Sequence, residues 1–202
     1  LAAAALGERL YGHGRDFREF YYLYFGVGLG GAMVHDGAVF RGAWGNAGEI
    51  GHMPVIPDGD PCPCGNRGCL ERYLSLDAYE RRAPAIGEDA WVAEAVPVFR
   101  QAVATIENLF DPETIIVGGL APKRLLARLI EAAAPLPSSV AARRERRADR
   151  LTLSAAGQEA VLRGAAALAV AGVLSPRFGL MFASAAGDPD PIIREAGRAR
   201  AA

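Results

Sequence analysis

The chain has 202 residues, is 51% hydrophobic and 22% charged, and carries a formal net charge of −1. That balance excludes a disordered polyelectrolyte, and the near-neutral charge leaves no general footprint for nucleic acid or an anionic membrane. No apolar run approaches the ~18 residues of a membrane helix, and three cysteines are too few for a disulfide scaffold, so a soluble, cytoplasmic α/β protein with one sizeable core is expected.

Residues 1–11 are strong helix formers with no capping residue ahead of them, and the first methionine is Met33. The start therefore reads as a chain cut inside a helix rather than a processed terminus. Gly12 and Gly14 stop this helix, and the aromatic run Phe20–Phe25 has the length of a strand. Its Tyr21, Tyr22 and Tyr24 are expected to pack between layers. The glycines of 26–31 lead into a second strand, Asp36-Gly37 signals a hairpin, and 38–40 return as a third strand. Because those glycines join two strands and open no helix, a dinucleotide-binding fingerprint is excluded.

Residues 41–70 are irregular and rich in Gly, Pro, Asn and Cys, with a short strand predicted at 53–55. A loop of that length inside a domain needs a functional reason or a metal. Helices are predicted over 71–82 and 91–110, broken at 84–87, with Pro97 either kinking the second or marking its start. A buried-type strand at 114–117 ends in Gly118-Gly119, and Pro122 opens a helix to about residue 134. A short strand at 151–153 and an Ala-rich helix over 158–174 complete the folded domain, placed at 1–182, with 183–202 a flexible tail. The arginine-rich stretch 143–147 reads as a solvated face, and His13 and His35 lack partners at metal spacing.

The sharpest chemical signal is His52, Cys62, Cys64 and Cys69, four soft donors within eighteen residues. Three thiolates and one imidazole suit a tetrahedral Zn²⁺, and four protein ligands leave no open position, so such a metal is structural. A disulfide is the main alternative, although cysteines one residue apart pair poorly; three reduced thiols is the other. Glu49 lies three residues before His52 and Glu71 two after Cys69. A metal that fixes the cluster also fixes these carboxylates, as paired acceptors for the hydroxyls of a polyol.

Taken together, Glu49-Ile50-Gly51-His52 and the run from Cys62-Pro63-Cys64 to Gly68-Cys69-Leu70-Glu71 resemble the signature of the ROK family (repressors, open reading frames and kinases). The glycines of 26–31 and of 42–48 fit the same pattern in the same order. The resemblance implies the C-terminal lobe of an actin-like, sugar-kinase-like (ribonuclease H-like) ATPase fold, with a structural zinc loop. It implies that Glu49, His52 and Glu71 contact sugar hydroxyls, that Gly26 and Gly28 belong to a second phosphate loop, and that Gly118 and Gly119 border the adenosine pocket. The helix around Gly164 would close that pocket.

Two departures matter. Family kinases usually carry Thr where this chain has Val27, and the family's catalytic Asp and first phosphate loop would fall before Leu1. The resemblance thus implies the sugar-binding part of an ATP- and Mg²⁺-dependent hexose or N-acyl-hexosamine kinase, inactive as this chain alone, in a homo-oligomer. The alternative is a sugar-responsive transcriptional regulator, touching DNA through a helix-turn-helix domain outside this chain. A zinc-stabilised interaction module without a small ligand is the third reading.

Overall fold

Strand and helix periodicities sort the chain into a central sheet covered on both faces. The computed structural model describes residues 1–140 and 146–174. In chain order the elements are α1 (Ala2–Tyr11), β1 (Phe20–Phe25), β2 (Leu29–His35), β3 (Ala38–Val39), α2 (Leu76–Ile86), α3 (Glu88–Phe110), β4 (Thr114–Gly119), α4 (Lys123–Ala132), β5 (Leu151–Leu153) and α5 (Ala160–Leu174). The sheet order is β3-β2-β1-β4-β5. Its first three strands are antiparallel neighbours, and β4 and β5 extend it in parallel with β1.

β1 sits in the middle, and its aromatic run is apolar throughout because both of its faces are buried. Tyr21, Leu23 and Phe25 point to one side and pack with Trp91, Phe99, Val103 and Ile106 of α3 and with Leu125 and Leu129 of α4. Phe20 and Tyr22 point to the other, against Ala4 and Ala5 of α1 and Ala160 at the start of α5. The three-tyrosine run therefore does pack between layers. Residues 1–165 make one compact unit, and α5 runs on from it to Leu174.

Several element bounds differ from the sequence expectation, each for a physical reason. α2 begins at Leu76, not residue 71, because Ser75 is its cap: the Ser75 hydroxyl accepts from Ala78 N at 3.0 Å. Leu70–Arg72 form a separate 3₁₀ turn. α2 passes through Pro84 and stops at Gly87, and α3 starts at Glu88 and passes through Pro97. Proline inside a helix costs about 3 kcal/mol. Around Pro97 that cost is offset by Val92, Ala95, Val98 and Phe99, all buried within two turns. The strand predicted at 53–55 is only a bridge between Pro54 and Cys69, and β3 ends before Phe40.

The boundary placed at residue 182, the tail, and Arg143 to Glu145 lie outside the described residues. Among the described residues no helix is long and apolar enough to cross a membrane.

Candidate functional site

The segment 41–70 has little regular structure and is held by main-chain bonds to the sheet and to itself. Gly48 lies alongside β2: Gly31 N donates to Gly48 O at 2.8 Å. At φ +96°, and with a would-be Cβ 1.9 Å from Gly31 O, only glycine fits there. Further on, Val55 N and Ile56 N donate to Gly68 O, Gly68 N to Asp60 O, Cys62 N to Asn66 O and Leu70 N to Met53 O. The chain folds back on itself so that residues 52–54 meet 68–70.

This turn brings the four predicted metal ligands together. One donor atom each from His52, Cys62, Cys64 and Cys69 lies within 4.8 Å of every other. Cys62 Sγ is 3.5 Å from His52 Nδ1, and Cys64 Sγ is 3.6 Å from Cys69 Sγ. Zn–S bonds of ~2.3 Å and a Zn–N bond of ~2.0 Å require tetrahedral edges of roughly 3.5–3.8 Å, which these two separations match. The three cysteines form no disulfide. Burial pushes the Cys62 thiol up to about 12 and raises that of Cys69. The Asn66 backbone N–H, first among several donors, holds Cys64 down to about 7.

The two carboxylates flank the same imidazole. Glu49 Oε2 is 3.8 Å from His52 Nε2, while Glu71 Oε1 is 3.5 Å from His52 Nδ1 and accepts from Cys62 Sγ at 3.1 Å. Glu49 is half exposed and Glu71 only 15% exposed, so one acid faces solvent and the other is set into the wall. Glu71 also reaches the glycine turn after β1, since a Cβ on Gly28 would lie 2.7 Å from Glu71 Oε2. That turn is tied to α2 by Leu76 N donating to Gly26 O at 2.9 Å. The glycine turn, the cluster and both acids are thus one mechanical unit at the carboxyl end of β1, where open α/β sheets bind ligands.

A second recess opens beside it. A cleft of about 460 Å³ is lined by Gly118, Gly119, Lys123, Ser154, Gly157 and Gln158, among others. It joins the glycine turn through Phe25, whose carbonyl accepts from Leu120 N at 2.7 Å. Lys123, the only lysine in the chain, Ser154 and Gln158 were not legible as cleft residues. Their one signal is position, just after parallel strands. Gly164 lies elsewhere: a Cβ there would be 1.7 Å from Ala3 O, so it seats α5 against α1.

Two polar groups differ from their sequence reading. His35 does have partners: its Nδ1 is 2.7 Å from Glu19 Oε2, and Asp36 completes an exposed trio in which Asp36 is itself paired with Arg18. Arg146 is not on a solvated face. It lies 3.2 Å from the buried Glu107, which Arg150 also grips through both carboxylate oxygens.

With this geometry in hand, solved structures give the class. A ROK glucokinase from Streptomyces griseus, crystallised with glucose and AMPPNP, matches with a TM-score of 0.68 at 25% identity, over 83% of this chain and 65% of that one. The chain has the α/β sheet and helices of the actin-like, ribonuclease H-like sugar-kinase fold. The ROK family model matches residues 1–171, and the chain belongs to that family. It is 32% identical to a xylose repressor from Caldicellulosiruptor bescii, over 59% of this chain and 38% of the repressor. It is also 32% identical to a glucokinase from Halalkalibacterium halodurans, over 57% of this chain and 46% of the enzyme. The chain spans less than half the length of these curated relatives.

Proposed function

We propose that this chain is the sugar-binding lobe of a ROK sugar kinase that transfers phosphate from ATP, with Mg²⁺, to a hexose or N-acyl-hexosamine. One observation carries the reading: His52 has one ring nitrogen among the cysteine sulfurs and the other toward Glu49. A single imidazole joins a structural cluster to a carboxylate pair. In this reading Glu49 and Glu71 accept hydrogen bonds from neighbouring sugar hydroxyls, and His52 orients a third. Carboxylate acceptors make the stronger, charge-assisted bonds that polyols need in water. His52, Cys62, Cys64 and Cys69 would hold Zn²⁺, which supplies rigidity and no open coordination position.

In the same reading Gly26 and Gly28 offer backbone N–H groups to phosphate oxygens, and Gly118 and Gly119 border the adenosine. Lys123 adds a positive charge to that cleft. Binding and orientation supply most of the rate in phosphoryl transfer, so these residues matter although none moves a proton. The base that takes the hydroxyl proton, and the first phosphate loop, belong to sequence outside this chain, and the chain alone is expected to transfer no phosphate. A cytoplasmic homo-oligomer is part of the proposal.

A second reading is favoured by one residue. Val27 stands at the tip of the glycine turn, 71% exposed, where a hydroxyl would serve phosphate and an isopropyl group does not. A sugar-sensing regulator, reaching DNA through a domain outside this chain, needs no such hydroxyl. The deciding test is calorimetric titration with glucose, N-acetylglucosamine and Mg·ADP. The kinase reading expects both a sugar and the nucleotide to bind, and Glu49→Gln and Glu71→Gln each to weaken the sugar by ~tenfold, the worth of one charge-assisted hydrogen bond. Sugar without nucleotide selects the regulator. No sugar at all, with both variants unchanged in every activity, leaves the interaction module.

A further inference from the structure

Glu8 is a fully buried carboxylate. It lies on α1, whose other buried residues are Ala4, Ala5 and Gly7. A buried charge costs several kcal/mol unless it is fully hydrogen-bonded, and an apolar residue of similar size would fill the same space. What Glu8 gains is four donors. Oε1 accepts from His13 N at 2.9 Å and Ala155 N at 3.1 Å. Oε2 accepts from the Ser154 hydroxyl at 2.6 Å and Ala156 N at 3.0 Å.

Three of the four donors come from one stretch, 154–156, whose Ser154 and Ala156 line the cleft together with Gly118 and Gly119. Ser154 is pressed against Gly118: its N donates to Val117 O at 2.8 Å, and a Cβ on Gly118 would come within 2.6 Å of Ser154 Cβ. At the other end of the same helix, Leu1 packs over Gly30 of β2, beside the glycine turn. α1 therefore spans from β2, beside the glycine turn, to the wall of the cleft.

We infer that Glu8 is the positioning residue of the cleft, fixing the Ser154–Ala156 wall against which an adenine nucleotide is held. The inference rests on the cleft being the nucleotide site of the proposed kinase. Glu8 itself touches no ligand. Glutamine in its place keeps the size but turns one acceptor into a donor facing N–H and O–H groups, so the wall loses its clasp without leaving a cavity.

The test is calorimetry on the 202-residue chain with Mg·ADP and with glucose as separate probes, comparing unaltered protein, Glu8→Gln and Ser154→Ala. The expected result is at least ~tenfold weaker Mg·ADP binding in Glu8→Gln and a smaller loss in Ser154→Ala, as for lost charge-assisted hydrogen bonds. Zinc content and glucose affinity should stay within about twofold, a split that a merely structural role would not produce. Equal Mg·ADP affinity in all three proteins overturns the inference, as does a parallel loss of glucose and zinc. If the unaltered chain binds glucose but no Mg·ADP, the cleft assignment fails first and the role of Glu8 falls with it.

Discussion

At the scale of single residues, the site depends on a division between the cysteines. Cys64 is exposed and held near neutrality by a backbone donor, while Cys62 and Cys69 are buried and pushed up. A soft cation has one thiolate nearly ready and must draw the proton from two others, so its affinity falls as pH falls. Cys69→Ser removes a sulfur from a fully buried position. That variant should lose stoichiometric zinc by elemental analysis and become protease-sensitive within 41–70, while the sheet keeps its circular dichroism. The clustering of His52, Cys62, Cys64 and Cys69 beside the two acids was legible because these residues are close in sequence. Glu8 was not legible. Its partners His13 and Ser154 lie 5 and 146 residues away, and a lone Glu on a short helix reads as solvated.

At the scale of elements, main-chain contacts carry the loop. Gly48→Ala would drive a methyl into the Gly31 carbonyl and force a positive φ on alanine. It should abolish measurable sugar binding while the helices and strands stay folded by circular dichroism. On the same side of the sheet, α3 holds Glu107 at 1% exposure between Arg150 and Arg146. Burial pushes its carboxyl up, but the Arg150 hydrogen bond and charge, with Arg146, outweigh this and hold it below its ordinary 4.5. A depressed carboxylate contributes stability that is full above pH 4.5 and is lost as pH falls through the lower folded value. Melting temperature should therefore drop below about pH 4.5. Glu107→Gln should lose about 3 kcal/mol at neutral pH and show a flatter acid profile, because it leaves two guanidinium groups without their acid. Helix bounds were the least legible feature. The Ser75 cap outweighed the apolar pattern from residue 71, and core packing carried α2 and α3 through proline.

At the scale of the whole molecule, the hairpin and the packed aromatic run of β1 were implicit in the sequence, whereas the parallel pairing of β1 with β4 was not. The arrangement gathers every candidate group at one end of the sheet. The glycine turn after β1, the 3₁₀ turn bearing Glu71, the Gly118-Gly119 end of β4 and the Ser154 end of β5 all meet there. What the sequence hid was long-range: Arg146 and Arg150 on Glu107, and Glu8 under the cleft, need the fold before they meet. The central claim is that a metal turns 41–70 from a loose segment into the floor of a carbohydrate site. X-ray absorption at the zinc edge of the purified, reduced protein tests it most directly. The account predicts one zinc per chain with three sulfurs at ~2.3 Å and one nitrogen at ~2.0 Å; substoichiometric metal, or a first shell of oxygen, would contradict it.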